Sequence, residues 1–368
     1  MPQAGALRAH PAGARGGGGA RARGAARRPL RRRMRAAAHR ASKALRGVPR
    51  GVAAEADREV HAGVQATNRG EESGSVTPRL VKFVGSKLGI LAAHPAQFPV
   101  PDYGCPVAVP FVGGGSVAAC YASRGHRVIA SDINARLVNA HEEIRRDPEA
   151  VIAILGRLVG EHRDTLIAAG DGEEHVAGRA FFESERARLD EGGDALMAAR
   201  FLFVIRAGFN GLYRENAAGE CTTAYGKPGA NVDLVQADKL RAYSAAVQTV
   251  RFLHEDFAVT CARARGGWAV VCDAPYEGTF TDYCGGEWRA SQPGLPGMAT
   301  GNDRERLAAM LVYLDAIGAR WTNHDADTAT TRSLYSRWPV VEVRRRGTVN
   351  SDAEGRGDVT ELLWRNWR

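Results

Sequence analysis

One stretch limits the fold more than any other. A short apolar run, Val107-Ala108-Val109, ends in Pro110-Phe111-Val112-Gly113-Gly114-Gly115-Ser116, and a helix-forming segment from Val117 to Ser123 follows. A glycine-rich turn between strand and helix lets backbone approach a ligand, and the helix start offers it unpaired N–H groups. A second strand pattern, Arg127-Val128-Ile129-Ala130-Ser131, closes on Asp132, and Asn134 is placed to cap a helix running to about Arg145. Strand, helix, strand is the opening unit of a doubly wound α/β fold. Asp132, 17 residues beyond Gly115, stands where an acid would receive the two hydroxyls of a ribose. No Gly-Lys-Ser/Thr follows the glycines, so the turn is not a phosphate loop, and a nucleoside ligand without phosphates fits it better. A tight turn followed by a helix-capping Asp would leave the same letters.

Between 148 and 210 the alternation lapses. Two helical patterns, 148–169 and 194–207, come without strands between them. They lead into Gly208-Phe209-Asn210-Gly211-Leu212-Tyr213-Arg214, then Gly219, then Thr222 to Gly226, which suggest a hairpin or an ordered loop. Strand and helix patterns resume at 249–253, 255–264, 268–272, 303–317, 320–322, 340–344 and 359–364. The expected architecture is a Rossmann-like α/β sheet made by residues 76–145 and 234–368, with a helical and hairpin insertion at 146–233.

The net charge of +9 belongs to one end of the chain. Residues 1–50 hold 14 Lys/Arg and no acid, leaving 36 basic and 41 acidic residues, a net of −5, for the rest. That basic, Gly- and Ala-rich tail lacks the side chains needed to offset the entropy of ordering, so disorder is expected up to about residue 75. It reads as a loose nucleic-acid arm, as an Arg-rich transit peptide, or as an upstream extension from a misplaced start, with Met34 as one internal alternative. No apolar run is long enough to span a bilayer, so a soluble cytoplasmic protein is expected. The six cysteines show no CxxC pair and no metal-like spacing with histidine, which points to idle thiols and no bound metal.

Asp273-Ala274-Pro275-Tyr276 follows a buried-looking strand pattern, Trp268-Ala269-Val270-Val271-Cys272, and so falls at a strand C-terminal end, where open α/β sheets place their sites. An exocyclic base amine is a poor nucleophile because its lone pair is delocalised into the ring. Held with acceptors facing its N–H bonds, it can point that lone pair at an electrophile. A carboxylate and a neighbouring main-chain carbonyl supply the acceptors, proline stiffens the turn, and an aromatic ring stacks on a base drawn out of the duplex. The same four residues also make an ordinary turn.

These pieces, in this order, resemble Dam-type (D12 class) DNA adenine-N6 methyltransferases. The resemblance is carried by Val81-Lys82-Phe83-Val84-Gly85-Ser86-Lys87-Leu88, by 110–116, by 206–214, by 273–276, by Phe280-Thr281-Asp282-Tyr283, and by Thr322-Asn323-His324-Asp325. It covers about residues 79–367. It implies a methyl transfer from S-adenosylmethionine to a flipped adenine in double-stranded DNA, by a monomer or a weak dimer on DNA, in a bacterial or phage-infected cell. Phe83, Gly85 and Lys87 resemble the segment closing over the cofactor's methionine end. Phe111, Gly113 and Gly115 resemble the loop under the cofactor, Asp132 its ribose acid, and Asp256-Phe257 the pair that holds its adenine. Asp273, Ala274, Pro275 and Tyr276 match the target-adenine motif. Asn210, Leu212 and Arg214 fall where the family's hairpin reads DNA, and the planar fork of Arg214 suits guanine O6 and N7.

Two departures stand out: Ala274 replaces the first of two usual prolines, and Ser86 replaces a usual glycine. Alanine still offers the carbonyl, so chemistry is expected to be retained but slower. Cytosine-N4 or RNA-base methylation, and a degenerate DNA-binding homologue, are the rival functions. His324 reads as part of a hydrogen-bonded turn, the Glu142-Glu143 and Glu183/Glu185 pairs as exposed charge, and 285–302 as a mobile loop over the site.

Overall fold

Short buried apolar runs become strands. β1 (Val107–Val109) and β4 (Ala269–Cys272) are buried along their whole length, as strands covered on both faces must be. The computed structural model describes residues 78–81, 87–170, 172–216, 218–276, 303–346 and 358–367. The expectations for the tail, for Phe83, Gly85 and Ser86, for 280–283 and for the 285–302 loop lie outside those residues. Among the described residues, β1 and β4 join β2 (Val128–Asp132), β3 (Val250–His254), β5 (Arg320–Ala326), β6 (Val340–Arg346) and β7 (Asp358–Arg365) in one sheet of order β3-β2-β1-β4-β5-β7-β6. β7 runs antiparallel to both β5 and β6, and the other pairings are parallel. The chain winds outward from β1 to β3 on one side and from β4 on the other. The crevice beyond the carboxyl ends of β1 and β4 is therefore the switch point where such sheets bind ligands.

After the short helix α1 (Leu88–Ala93), helices α2 (Ser116–Ser123) and α3 (Ala135–Arg146) follow β1 and β2. Asn134 caps α3, its side chain accepting from the Leu137 N–H at 2.9 Å. Then come α4 (Pro148–Ala169), α5 (Glu174–Ala187), α6 (Asp194–Ala207) and α7 (Ala237–Ala246), before α8 (Phe257–Arg263), α9 (Asp303–Ile317) and α10 (Ala329–Leu334). Leu155, Phe182 and Phe203 of α4, α5 and α6 belong to the same apolar cluster as Val107 and Val128 of the sheet, so these helices share the core of the sheet. α8, α9 and α10 cover the opposite face.

Three sequence expectations need correction. A further helix, α5, lies between the two helical patterns expected at 148–169 and 194–207, and its buried stripe is Gly178, Phe182 and Glu185. A Cβ on Gly178 would meet the Tyr225 hydroxyl at 2.5 Å, so no side chain fits there. Glu185 is buried and paired with Arg188 and Arg200, and Glu143 is buried beside Arg146, so neither is exposed charge. Finally, β5 continues past 322 to Ala326, pairing with β7. His324 therefore lies inside a strand and not in a turn. Among the described residues no helix is long and apolar enough to cross a membrane, and the five cysteines there are free thiols.

Candidate active site

The glycine turn is shaped by contacts on both sides. Gly113 and Gly115 have φ of 48° and 80°, which glycine adopts readily. The Gly113 N–H donates to Asp132 Oδ2 at 3.2 Å, and the Asn134 N–H donates to Oδ1 at 3.1 Å. Each oxygen keeps acceptor capacity, and burial pushes the Asp132 carboxyl up, with those backbone bonds pulling it back. An acid at this point would repel a phosphate and suits neutral hydroxyls. The residues present therefore fit a nucleoside.

Behind the turn, His141 Nε2 lies 2.8 Å from the Gly113 carbonyl and Nδ1 lies 2.7 Å from the Tyr243 hydroxyl. A carbonyl only accepts, so Nε2 carries the proton and Tyr243 donates to Nδ1. Burial pushes the His141 ring down to about 4, which keeps it neutral. A Cβ on Gly115 would stand 2.1 Å from the Tyr243 hydroxyl. Gly115 is thus required by packing within the protein. In front, the Leu80 N–H donates to the Gly114 carbonyl at 3.0 Å. Arg206, at the end of α6, donates to the Leu80, Leu234 and Val235 carbonyls.

Asp256 caps α8, accepting from the Ala258 N–H at 2.9 Å and from Arg306 Nη2 at 2.7 Å on the same oxygen. Phe257 stacks on Phe111 with ring centroids 5.1 Å apart, and the Arg306 guanidinium lies 4.8 Å from the Phe257 ring centre. These residues form a flat apolar wall edged by a carboxylate, suited to a planar base with an amino group.

Asp273 follows β4 directly. Its Oδ1 is 2.7 Å from Lys87 Nζ, while 24% of its side chain stays exposed. Lys87, fully buried, also lies 3.2 Å from Glu361 Oε1 and 4.8 Å from the Tyr276 ring centre. The Tyr276 hydroxyl donates to that same Glu361 oxygen, and His324 Nδ1 stands 3.4 Å from it. Burial raises the Asp273 carboxyl above its usual range, and Lys87 pulls it back down. Burial would also raise Glu361, but His324, Lys87 and Tyr276 outweigh it and hold that carboxyl well below the usual range. Arg304 ties the turn to the sheet, bonding Asp325 of β5 and donating to the Pro275 carbonyl at 3.1 Å. Ala274 packs against the core beneath.

Residues 208–216 and 218–226 form the two sides of an irregular antiparallel hairpin. Gly208 bridges Tyr225, Glu215 bridges Cys221, and the turn closes from the Gly219 N–H to the Asn216 carbonyl at 3.0 Å. Asn210 (φ 57°) and Arg214 are exposed and Leu212 is half-buried, while Tyr213 and Glu215 turn inward. There Arg136 of α3 donates to the Tyr213 hydroxyl at 2.8 Å, Glu215 at 2.7 Å, the Gly219 carbonyl at 3.0 Å and Asp190 at 2.7 Å.

The described site residues therefore gather in three neighbouring groups, Gly113 with Asp132, Phe111 with Asp256 and Phe257, and Lys87 with Asp273 and Tyr276. The hairpin joins the first through Asn134, which lies 3.4 Å from Glu215. Glu361, Arg304, Arg306, Arg136, His141 and Tyr243 were missed by sequence reasoning. Only Glu361 left a signal, as the single acid in the run Val359-Thr360-Glu361-Leu362-Leu363-Trp364. Among the described residues, no group of three or more His, Cys, Asp or Glu is set to hold a metal.

A mostly parallel seven-stranded sheet with one antiparallel strand, carrying a glycine turn, an acid and an Asp-x-Pro-Tyr turn at its carboxyl edge, is the architecture of a Rossmann-like methyltransferase. The chain belongs to the D12 class N6 adenine-specific DNA methyltransferase family, whose model matches residues 83–346. It is 27% identical over 292 residues to the DNA N-6-adenine-methyltransferase of Escherichia phage P1, covering 77% of this chain but only 35% of that longer protein. It is 26% identical to the retron Ec67 DNA adenine methylase of Escherichia coli, over 77% of this chain and 90% of the relative. With the type II methyltransferase M1.LlaDCHI of Lactococcus lactis it shares 24% identity, over 78% and 94%. Membership implies S-adenosylmethionine as methyl donor and DNA as substrate.

Proposed function

We propose that this methyltransferase holds a flipped adenine against Asp273-Ala274-Pro275-Tyr276 and methylates its N6 amine. The observation that carries the reading is the Asp273 carboxylate. It sits at the carboxyl end of β4, engaged through Oδ1 by buried Lys87 and still partly exposed to the crevice. Asp273 and the Ala274 carbonyl accept from the two N–H bonds of the amine, which turns its lone pair away from them. The Tyr276 ring stacks on the base, and Lys87 holds Asp273 in place. S-adenosylmethionine supplies an activated methyl group, so positioning is the protein's main contribution. The amine nitrogen releases one proton after transfer, and Asp273, its basicity raised by burial, is the nearest carboxylate to receive it.

The donor's ribose is assigned to Asp132, its adenine to Asp256 and the Phe111–Phe257 wall, and its methionine end to the segment holding Phe83, Gly85 and Lys87. The turn of Gly113 and Gly115 lies under it. Asn210, Leu212 and Arg214 are assigned to base reading, with residues 146–233 as the target-recognition insertion and 76–145 with 234–368 as the catalytic domain.

The test is direct. Purified protein is incubated with unmethylated DNA and the labelled donor, and the DNA is digested to nucleosides. N6-methyladenine is expected; label only in methylcytosine would overturn the adenine assignment.

A further inference from the structure

β7 places a carboxylate where the strand pattern calls for an apolar residue. Glu361 is 1% exposed, and Leu362, Leu363 and Trp364 beside it are buried. A carboxylate there is strongly disfavoured unless charged or donating groups face it. Among the described residues three groups from three separate segments face the same oxygen: Lys87, the Tyr276 hydroxyl, which donates to it, and His324, whose Nδ1 stands 3.4 Å away. Two of these three are parts of the target-amine site. Lys87 is the partner of Asp273, and Tyr276 is the ring assigned to the base.

Neutralising Lys87 does not by itself explain the acid, because Asp273 already lies 2.7 Å from the ammonium. A lysine has three N–H donors, and with two acids at hand it is shared between them. The sharing has two consequences. Asp273 faces an ammonium whose charge is partly spent on Glu361, so it stays a stronger acceptor than in a one-to-one pair. Tyr276, tethered through its hydroxyl to a strand of the sheet, presents its ring in one orientation.

We propose that Glu361 is a positioning residue for methyl transfer, which tunes Asp273 through Lys87 and orients Tyr276 through its hydroxyl. The inference rests on the assignment of Asp273 to the target amine. The effect on Asp273 agrees in direction with its electrostatics, where Glu361 raises the carboxyl and Lys87 lowers it.

Glu361→Gln in the full chain keeps the size and a hydrogen-bonding group for Tyr276 but removes the charge. The expected result is a fall in kcat of about 30-fold or more. The dissociation constants for S-adenosylmethionine and DNA should stay within about threefold. The acid limb of the kcat–pH profile should move to lower pH, because removing a neighbouring negative charge makes Asp273 easier to ionise. A role in stability alone would lower the melting temperature and leave that limb in place. Tyr276→Phe, which cuts only the hydroxyl tether, should lower kcat without moving the limb.

Wild-type kcat and an unmoved limb in Glu361→Gln would overturn the proposal. Should that variant fail to fold, Glu361→Asp decides. It keeps the charge with a shorter reach, so reduced kcat is expected with the limb unmoved, and wild-type kcat would count against the proposal. Asp273→Ala runs in parallel. If it is inactive while Glu361→Gln is fully active, only the Glu361 proposal fails; if Asp273→Ala is itself active, the target-amine assignment fails first.

Discussion

His141 donates to the Gly113 carbonyl from a fully buried ring and accepts from the Tyr243 hydroxyl at Nδ1, an acceptor it keeps only while the ring is neutral. Its folded value of about 4 lies below the usual histidine value of about 6.5. As pH falls between those values the unfolded chain takes up a proton that the folded chain refuses, so stability is present above about 6.5 and is lost on the way to 4. The contribution at stake is on the order of 3 kcal/mol. Urea unfolding of His141→Gln, which can keep both hydrogen bonds but does not titrate, should therefore show a flatter fall from pH 7 to 4 than the native chain. Equal slopes would mean that other groups govern the acid sensitivity. His141 had no mark in the sequence, because nothing in the letters of a helix tells which histidine faces a turn 28 residues away.

The hairpin and α3 act together at the scale of elements. Arg136 anchors the inward side chains of the hairpin, and Arg214 points outward between them, as strand alternation requires. Arg214→Ala should relax sequence choice, with a loss of about 1–3 kcal/mol confined to the preferred site, measured by competition between cognate and altered duplexes. A uniform loss across sequences would make Arg214 a phosphate contact. Arg136→Ala leaves buried Glu215 with fewer partners and should lower unfolding stability by about 3 kcal/mol. It should also blunt discrimination, while Arg214→Ala leaves stability near native. Helices rich in apolar residues, such as α4, α6 and α9, were legible to the residue. α5 was not, because it is polar overall and buries a glycine, one phenylalanine and a glutamate, with Gly178 packed on Tyr225 and Leu166. β5 was cut short because Asn323, His324 and Asp325 read as a polar turn, yet they pair with β7 and are buried beside the site.

For the whole molecule, the opening strand, helix, strand unit was legible in the sequence but the sheet order was not, since β1 lies between β2 and β4, and β7 lies between β5 and β6. β7 was legible as a strand but not as antiparallel, because its pairing depends on partners distant in sequence. The motif residues were likewise readable one by one, whereas the ion pairs that join them come from α9, β5 and β7 and have no fixed spacing. Charge divides the chain as well, with a body of net −5 behind a basic first 50 residues. A chain of residues 76–368 should methylate the same site as the full chain. If the tail is a nucleic-acid arm, its removal should weaken DNA binding most at low salt and reduce the salt slope.

The central claim is that Asp273 positions an adenine amine and does not hold the cofactor or the fold. It is tested most directly by expressing the full chain and its Asp273→Ala variant in a methylase-free host, reading every methylated base in the genome, and measuring S-adenosylmethionine binding by calorimetry. The account predicts N6-methyladenine at one short site for the native chain and none for the variant, with cofactor affinities within several-fold of each other. Adenine methylation by Asp273→Ala at the native level, or loss of cofactor binding together with activity, would contradict it.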